Sequence, residues 1–476
     1  MVNANGTPDK LEKTIDRFRD YGQDRVFRFW DRLDESQRQK LLHQATAVDL
    51  EALKRAHAAA SGPTSVCPPK LEAVPVVQLP AHGGDAAEAA RAFERGSQAL
   101  ADGRVAALVV AGGQASRLGI DGPKGAYPIG PVSERCLFEQ QAQKIRGLRR
   151  RYGHSLPWYI MTSAATDAAT RALFGENDTF GLPSEDVFFF QQGMVQSLDF
   201  DGRMMLERPD RIFENPNGHG GSLTALLSSG ALDDMERRGV DTLFYYQVDN
   251  PLIRIADPSY LGFHLEAEAE MSCKVIRKRD PMEKVGVVAR ADGNISVVEY
   301  TEIDDEHRFA TDEDGDLVFW AGNAAIHIFS TSFIRRVSES ADELLPYHFS
   351  AKLIPTIDDD GQLVRPTEPN GHKLERFVFD ALSAAQSICL VEGDRNQEYS
   401  PVKNAEGTDS PASARRDLIA VYRSWLDAAG IEMPTSGTAI EIDHSRVDCP
   451  EEARELGIQR CAEAGDVIRI QAGEEA

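Results

Sequence analysis

The chain has 476 residues, 42% of them hydrophobic and 27% charged, and a net charge of −24. That length exceeds what a single core organises, so one large central domain with smaller pieces at its ends is expected. The acidity argues against coating nucleic acid, which needs a broad basic face, so a polyanionic ligand has to be met by a few local Lys and Arg.

The first residues, "MVNANG", lack a charged flank before an apolar core, and no apolar run approaches the length of a bilayer span. Neither a signal peptide nor a membrane contact is expected. The six cysteines are scattered without a C-x-x-C pair, which fits reduced thiols and a cytoplasmic location better than a disulfide frame or a zinc site.

Residues 10–60 read as amphipathic helices. Leu11, Ile15 and Phe18, then Val26, Phe27, Trp30 and Leu33, recur at spacings of three and four, and Asp34 or Ser36 stands where a helix is capped. This helical layer has to pack on something larger. Residues 61–80 carry five prolines and read as a connector laid across a surface.

From Arg104 onward, short apolar runs alternate with helical stretches. "RVAALVVAG", "PWYIMTS", "DVFFFQQ", "DTLFYYQVDN", "MSCKVIRK" and "VGVVAR" are strand candidates, and several are apolar throughout. Strands buried on both faces imply an α/β fold with a mostly parallel central sheet and helices on both faces. Ligands of such sheets sit beyond the carboxyl ends of the strands. The chain is helical again past Arg415, and "TAIEIDHSRV" and "DVIRIQAG" alternate as in a small β-rich appendage. The expected division is 1–80, 81–415 and 416–476.

"VVAGGQASRLG" runs from a strand into glycines and is followed by "IDGPKG". Glycines let backbone N–H groups converge on phosphate oxygens, while Arg117 and Lys124 supply charge; a tight turn with surface charges is the competing reading. The spacing is neither that of a P-loop nor that of a dinucleotide fingerprint.

"AGGQASRLGIDGPKG" resembles the signature of the eukaryotic-type UTP:sugar-1-phosphate uridylyltransferases. Further blocks follow in order: "FFFQQGM", "NPNGHGGSLTAL", "YYQVDNPL", "EKVGVVAR" with "VVEYTEI", "FWAGNAAIHIF", "GHKLERFVFDAL" and "YSPVKNAEGTDS". Together they are similar to the UDP-N-acetylhexosamine pyrophosphorylases over roughly residues 10–430. The resemblance implies a Rossmann-like nucleotidyltransferase fold of GT-A type. It also implies UTP and a hexose 1-phosphate as substrates and Mg²⁺ as cofactor.

Residue by residue, the resemblance gives Val110, Ala111, Gly112 and Gly113 to the nucleotide, Gln192 and Gly218 to the uracil, and Arg117 and Lys124 to the pyrophosphate. Asp249 is implied as the Mg²⁺-associated carboxylate, since a lone carboxylate among phosphates needs a divalent cation between them. Asn250 beside it reads as the cap of a turn. Lys373 and Lys403 are implied at the incoming phosphate. His219, Glu299, Tyr300, Asn323, Phe377 and Phe379 are implied at the sugar, with Gly322 leaving room beside Asn323.

Two departures stand out. Ala115-Ser116 replaces the family's usual Gly-Thr, which would strain the loop if position 115 needs a positive φ. His219 is more typical of UDP-glucose and broad UDP-sugar pyrophosphorylases, so UDP-glucose or UDP-galactose synthesis, or broad specificity, stands beside UDP-N-acetylglucosamine synthesis. A non-catalytic UDP-sugar binding protein is the reading from a different class. The sequence declares no oligomeric partner.

Overall fold

The computed structural model describes residues 7–60, 70–431, 439–447 and 449–455. The chain forms two compact units. One combines Met1–Cys67, Gly193–Thr224 and Ser340–Asp380; the other combines Pro68–Gln192, Ala225–Glu339 and Ala381–Ala476. The N-terminal helices therefore share a unit with two later segments, which differs from a boundary at residue 80.

In the first unit, Asp34 caps the helix Glu35–Ala47 through a capping box with Gln37. Phe18, Val26, Phe27, Leu33 and Leu41 are buried together with Val195, Leu198, Leu206, Ile212 and Leu374. The apolar stripe read from the sequence thus meets short strands from residues 193–216 and 371–375.

The second unit is built on a ten-stranded sheet. Val105–Val110 pairs in parallel with Thr242–Gln247 and with Trp158–Thr162, which in turn pairs in parallel with Val187–Gln191. Burial explains why the first of these strands is apolar throughout: Ala106, Ala107 and Leu108 have no exposed area, and neither have Trp158 through Met161 beside them. The other half is mostly antiparallel: Ala321–Ser330 runs against both Thr242–Gln247 and Met271–Arg277, while Met271–Arg277 pairs in parallel with Ile388–Glu392 at the edge. The sheet is accordingly mixed, with its parallel half carrying the glycine turn.

The proline-rich connector is partly ordered into this sheet. Leu71–Glu72 pairs with residues 290–291, and the Val77 N–H donates to the Leu390 carbonyl at 2.8 Å. Residues 61–69 lie outside the described residues.

The expected boundary at 415/416 falls inside the helix Pro411–Ala428, which is capped by Ser410. Leu418, Val421, Tyr422 and Leu426 of that helix are buried in the same core as the sheet, as are Ile440 and Ile442. The stretch "TAIEIDHSRV" contains no strand over its described residues 439–447 and lies as irregular chain with buried isoleucines; the alternation reflects core anchoring. "DVIRIQAG" lies outside the described residues. Among the described residues, no helix is long and apolar enough to cross a membrane.

Candidate active site

At the carboxyl end of Val105–Val110 the chain passes through Ala111, Gly112 and Gly113 into a short 3₁₀ turn, Ser116–Leu118. A Cβ on Gly112 would stand 3.2 Å from Gln192 Oε1 and 3.3 Å from Ser163 Cβ, so the missing side chain lets Gln192 approach the turn. A Cβ on Gly113 would meet nothing within 4 Å; the backbone there faces open space.

The loop then folds back on itself. The Lys124 N–H donates to the Gly113 carbonyl at 2.9 Å, and the Ala115 N–H donates to the Gly122 carbonyl at 2.9 Å. Ala115 has φ −89°, an ordinary value for an L-residue, and the positive φ angles fall at Gly119 and Gly122. The substitution at 115 therefore costs no backbone strain. Arg117 is exposed and, among the described residues, has no ion-pair partner, whereas Lys124 is half-buried.

Lys124 Nζ lies 3.2 Å from Asp249 Oδ2, two residues past the strand Thr242–Gln247. Parallel pairing of that strand with Val105–Val110 sets both at the same sheet end. Asp249 is 7% exposed, and its backbone carbonyl accepts from the Val402 N–H at 2.8 Å. Lys403 follows immediately. Desolvation alone would lower the Lys403 pKa, but Tyr399 and Asp249 outweigh it and raise it above its ordinary value, so the ammonium is held charged.

Asn323 lies on the same sheet, with its N–H donating to the Gly286 carbonyl at 2.8 Å and its Oδ1 accepting from the Ala325 N–H at 3.0 Å. Gly322 does not open a space beside it: a Cβ there would stand 3.1 Å from the Ile276 carbonyl oxygen and 3.2 Å from Val285. Glu299 is half-buried and Tyr300 is 38% exposed. Both follow the strand Asn294–Val298 directly.

The remaining expected residues belong to the other unit. His219 Nδ1 accepts from the Val378 N–H at 3.1 Å, and its ring stacks on Phe377 at 5.4 Å between centroids, with Phe379 at 5.7 Å. Burial pushes the His219 pKa down to about 4, against the pull of Asp380 and Glu375. The ring is neutral near pH 7, and with Nδ1 accepting, Nε2 carries the proton. Gly218 has φ +84°, and a Cβ on it would meet the Arg376 carbonyl oxygen at 2.4 Å, so packing against the Arg376 backbone requires this glycine irrespective of any ligand. Lys373 Nζ is paired with Glu375 Oε1 at 2.8 Å.

A family model described as UTP–glucose-1-phosphate uridylyltransferase matches residues 76–421, most of the chain. The chain belongs to the UTP–glucose-1-phosphate uridylyltransferase family. It is 38% identical over 462 residues to UDP-N-acetylhexosamine pyrophosphorylase-like protein 1 of Xenopus tropicalis, covering 93% of this chain and 90% of that one. It is 34% identical to the UDP-N-acetylglucosamine pyrophosphorylase of Saccharomyces cerevisiae, covering 91% and 94%. Among solved structures, the uridine diphosphate N-acetylglucosamine pyrophosphorylase of Trypanosoma brucei superposes with a TM-score of 0.81 at 27% identity, covering 96% of this chain and 95% of that one.

Two features of this uridylyltransferase-family chain escape sequence reasoning. Asn250 does not cap a local turn; its Nδ2 donates to the Glu398 carbonyl at 2.7 Å and its Oδ1 accepts from the Ser400 N–H at 3.1 Å. Lys274, 1% exposed in its side chain, is paired with Asp257 at 2.8 Å and with Glu398. The signal for Lys274 is a lone charge inside the otherwise apolar strand "MSCKVI". No local signal exists for the partners of Asn250, which lie about 150 residues away.

Proposed function

We propose that the chain transfers the uridylyl group of UTP to N-acetylglucosamine 1-phosphate, forming UDP-N-acetylglucosamine and pyrophosphate. The observation that carries this reading is the Lys124–Asp249 pair standing at the same sheet end as a glycine turn with open space at Gly113. Relatives named as N-acetylhexosamine or N-acetylglucosamine pyrophosphorylases, matched over most of their length, support the choice of sugar.

The reaction needs an oxygen of the sugar phosphate to attack the α-phosphorus of UTP in line, with pyrophosphate leaving. The attacking phosphate is already ionised, so no general base is required, and positioning with electrostatic stabilisation does the work. In this reading, Gly112 and Gly113 with Val110 and Ala111 line the nucleotide, and Gln192 offers an amide donor and acceptor to the uracil edge. Arg117 and Lys124 take the leaving pyrophosphate. Lys124 exchanges Asp249 for phosphate oxygens as UTP arrives, which frees the carboxylate.

Asp249 is the residue to hold Mg²⁺. Among the described residues, no group of three or more His, Cys, Asp or Glu could cage a metal ion, and one carboxylate suits a cation that shares its ligands with a triphosphate. A cation held there would supply charge neutralisation at the transferred phosphoryl group. Lys403 receives the incoming phosphate, whereas Lys373 belongs to the other unit, where it is paired with Glu375. Glu299, Tyr300 and Asn323 are assigned to the sugar.

His219 is what favours the UDP-glucose alternative, but its bond to Val378 and its stacking on Phe377 account for it without reference to the sugar. A non-catalytic binding protein would have no use for Arg117, Lys124, Asp249 and Lys403 together. A cytoplasmic location is part of the same reading. Incubation with UTP, N-acetylglucosamine 1-phosphate and Mg²⁺ tests it: equimolar UDP-N-acetylglucosamine and pyrophosphate are expected, and UTP recovered intact would overturn it.

A further inference from the structure

Four buried polar side chains, Asn250, Asp257, Lys274 and Glu398, have no part in the chemistry above. Asn250 is 5% exposed and uses both ends of its amide on the main chain of one segment, Nδ2 donating to the Glu398 carbonyl and Oδ1 accepting from the Ser400 N–H. The adjacent Asp249 carbonyl takes the Val402 N–H at 2.8 Å. Three hydrogen bonds thus fasten residues 398–402 to the Asp249–Asn250 dipeptide, and Lys403 is the next residue.

The far end of that segment is anchored from inside the fold. Glu398 closes the short helix Arg395–Glu398, and its carboxylate is bound by the Lys274 ammonium, which also takes Asp257 at 2.8 Å. All three side chains are at least nine-tenths buried. A buried carboxylate beside a buried ammonium has strong directional preference, because any other arrangement leaves a charge without a partner in a low dielectric. Beyond the latch, the Lys403 N–H donates to the Asp409 carbonyl at 2.7 Å, so the lysine is tied on both sides.

We infer that Asn250, held against Glu398 and through it Lys274, is a positioning latch that sets Lys403 against Asp249 for uridylyl transfer. This rests on the proposed function for the step it serves, while the latch itself is a statement about this fold. Asn250 touches neither substrate in this scheme. It fixes the approach of a cation to the transferred group, and such placement governs turnover more than binding. The latch also explains why a surface loop punctuated by Pro401 and Gly407 can present a catalytic cation reproducibly.

The test is Asn250→Ala in the full chain, with Glu398→Gln as a second, nearly isosteric variant should the first fail to fold. Two readouts are taken at matched thermal stability: amide hydrogen exchange of the 398–409 segment, and kcat and KM for UTP with N-acetylglucosamine 1-phosphate. Faster exchange in the segment, with kcat reduced on the order of tenfold and KM for UTP within about twofold, is expected. A general structural role would instead lower stability and move KM and kcat together. Unchanged exchange, or faster exchange with kcat unaltered, overturns the latch. A wild-type chain without turnover contradicts the proposed function, and the exchange measurement then decides the latch by itself.

Discussion

The Lys124 ammonium lies 3.2 Å from the Asp249 carboxylate, although the two residues are 125 positions apart. Parallel pairing of their strands brings the glycine turn and the acidic strand end side by side. In the proposed reaction this pair would supply a cation for pyrophosphate and a carboxylate for Mg²⁺.

Removing either partner should therefore cut catalysis sharply while sparing the fold. Lys124→Ala and Asp249→Ala are each expected to lower kcat/KM by roughly 10²–10³-fold, the scale of a lost transition-state contact. Lys124→Ala also leaves Asp249 largely buried without its partner, a cost of about 1–3 kcal/mol. Initial rates and urea unfolding of both variants check the pair of effects, and near-wild-type rates would remove these residues from the site.

Gly112 and Gly113 should respond differently to alanine. At Gly112 the new Cβ would press on Gln192 and Ser163, so both stability and the KM for UTP should suffer. At Gly113 it would meet nothing in the free protein, so stability should stay within about 0.5 kcal/mol while KM for UTP rises. Unchanged KM in Gly113→Ala would mean that no phosphate passes close to this backbone.

The glycine turn and its strand are legible in the sequence because an apolar run ending in glycines has few other uses. Its internal shape is not. A positive φ at Ala115 is the natural concern, yet the left-handed positions are Gly119 and Gly122, fixed by the return of Lys124 onto Gly113. Gly218 and Gly322 look like clearances for ligand, but backbone from distant segments fills both spaces. Asn250 is legible only as a turn former because its partners come from the other end of the unit. The alternation in "TAIEIDHSRV" misleads for the same reason, since Ile440 and Ile442 anchor irregular chain in the core.

His219 makes a pH prediction. Its folded pKa of about 4 lies below the ordinary value of 6.5, so between these limits the unfolded chain binds a proton that the folded chain excludes. Its contribution to stability is fully present above pH 6.5 and is lost as pH falls toward 4. Of the groups that face it, Asp380 and Glu375 moderate the shift and His348 adds to it. Denaturant unfolding at several pH values should show His219→Gln with a shallower acid slope, by up to about 1.4 kcal/mol per pH unit. Identical slopes would show that the ring is not buried as a neutral group.

Lys274→Met tests the buried triad directly. It leaves Asp257 and Glu398 without their shared cation, and a loss of about 3–5 kcal/mol is expected in urea unfolding. A loss below about 1 kcal/mol would show that the two carboxylates do not depend on the lysine.

Uridylyl transfer itself is tested most directly by pyrophosphate release from UTP in the presence of N-acetylglucosamine, N-acetylgalactosamine, glucose and galactose 1-phosphates. Release should be fastest, by kcat/KM, with N-acetylglucosamine 1-phosphate and should fall by roughly 10²–10³-fold in Asp249→Ala. Preference for glucose 1-phosphate would contradict the assigned sugar, and no release with any of the four would contradict catalysis.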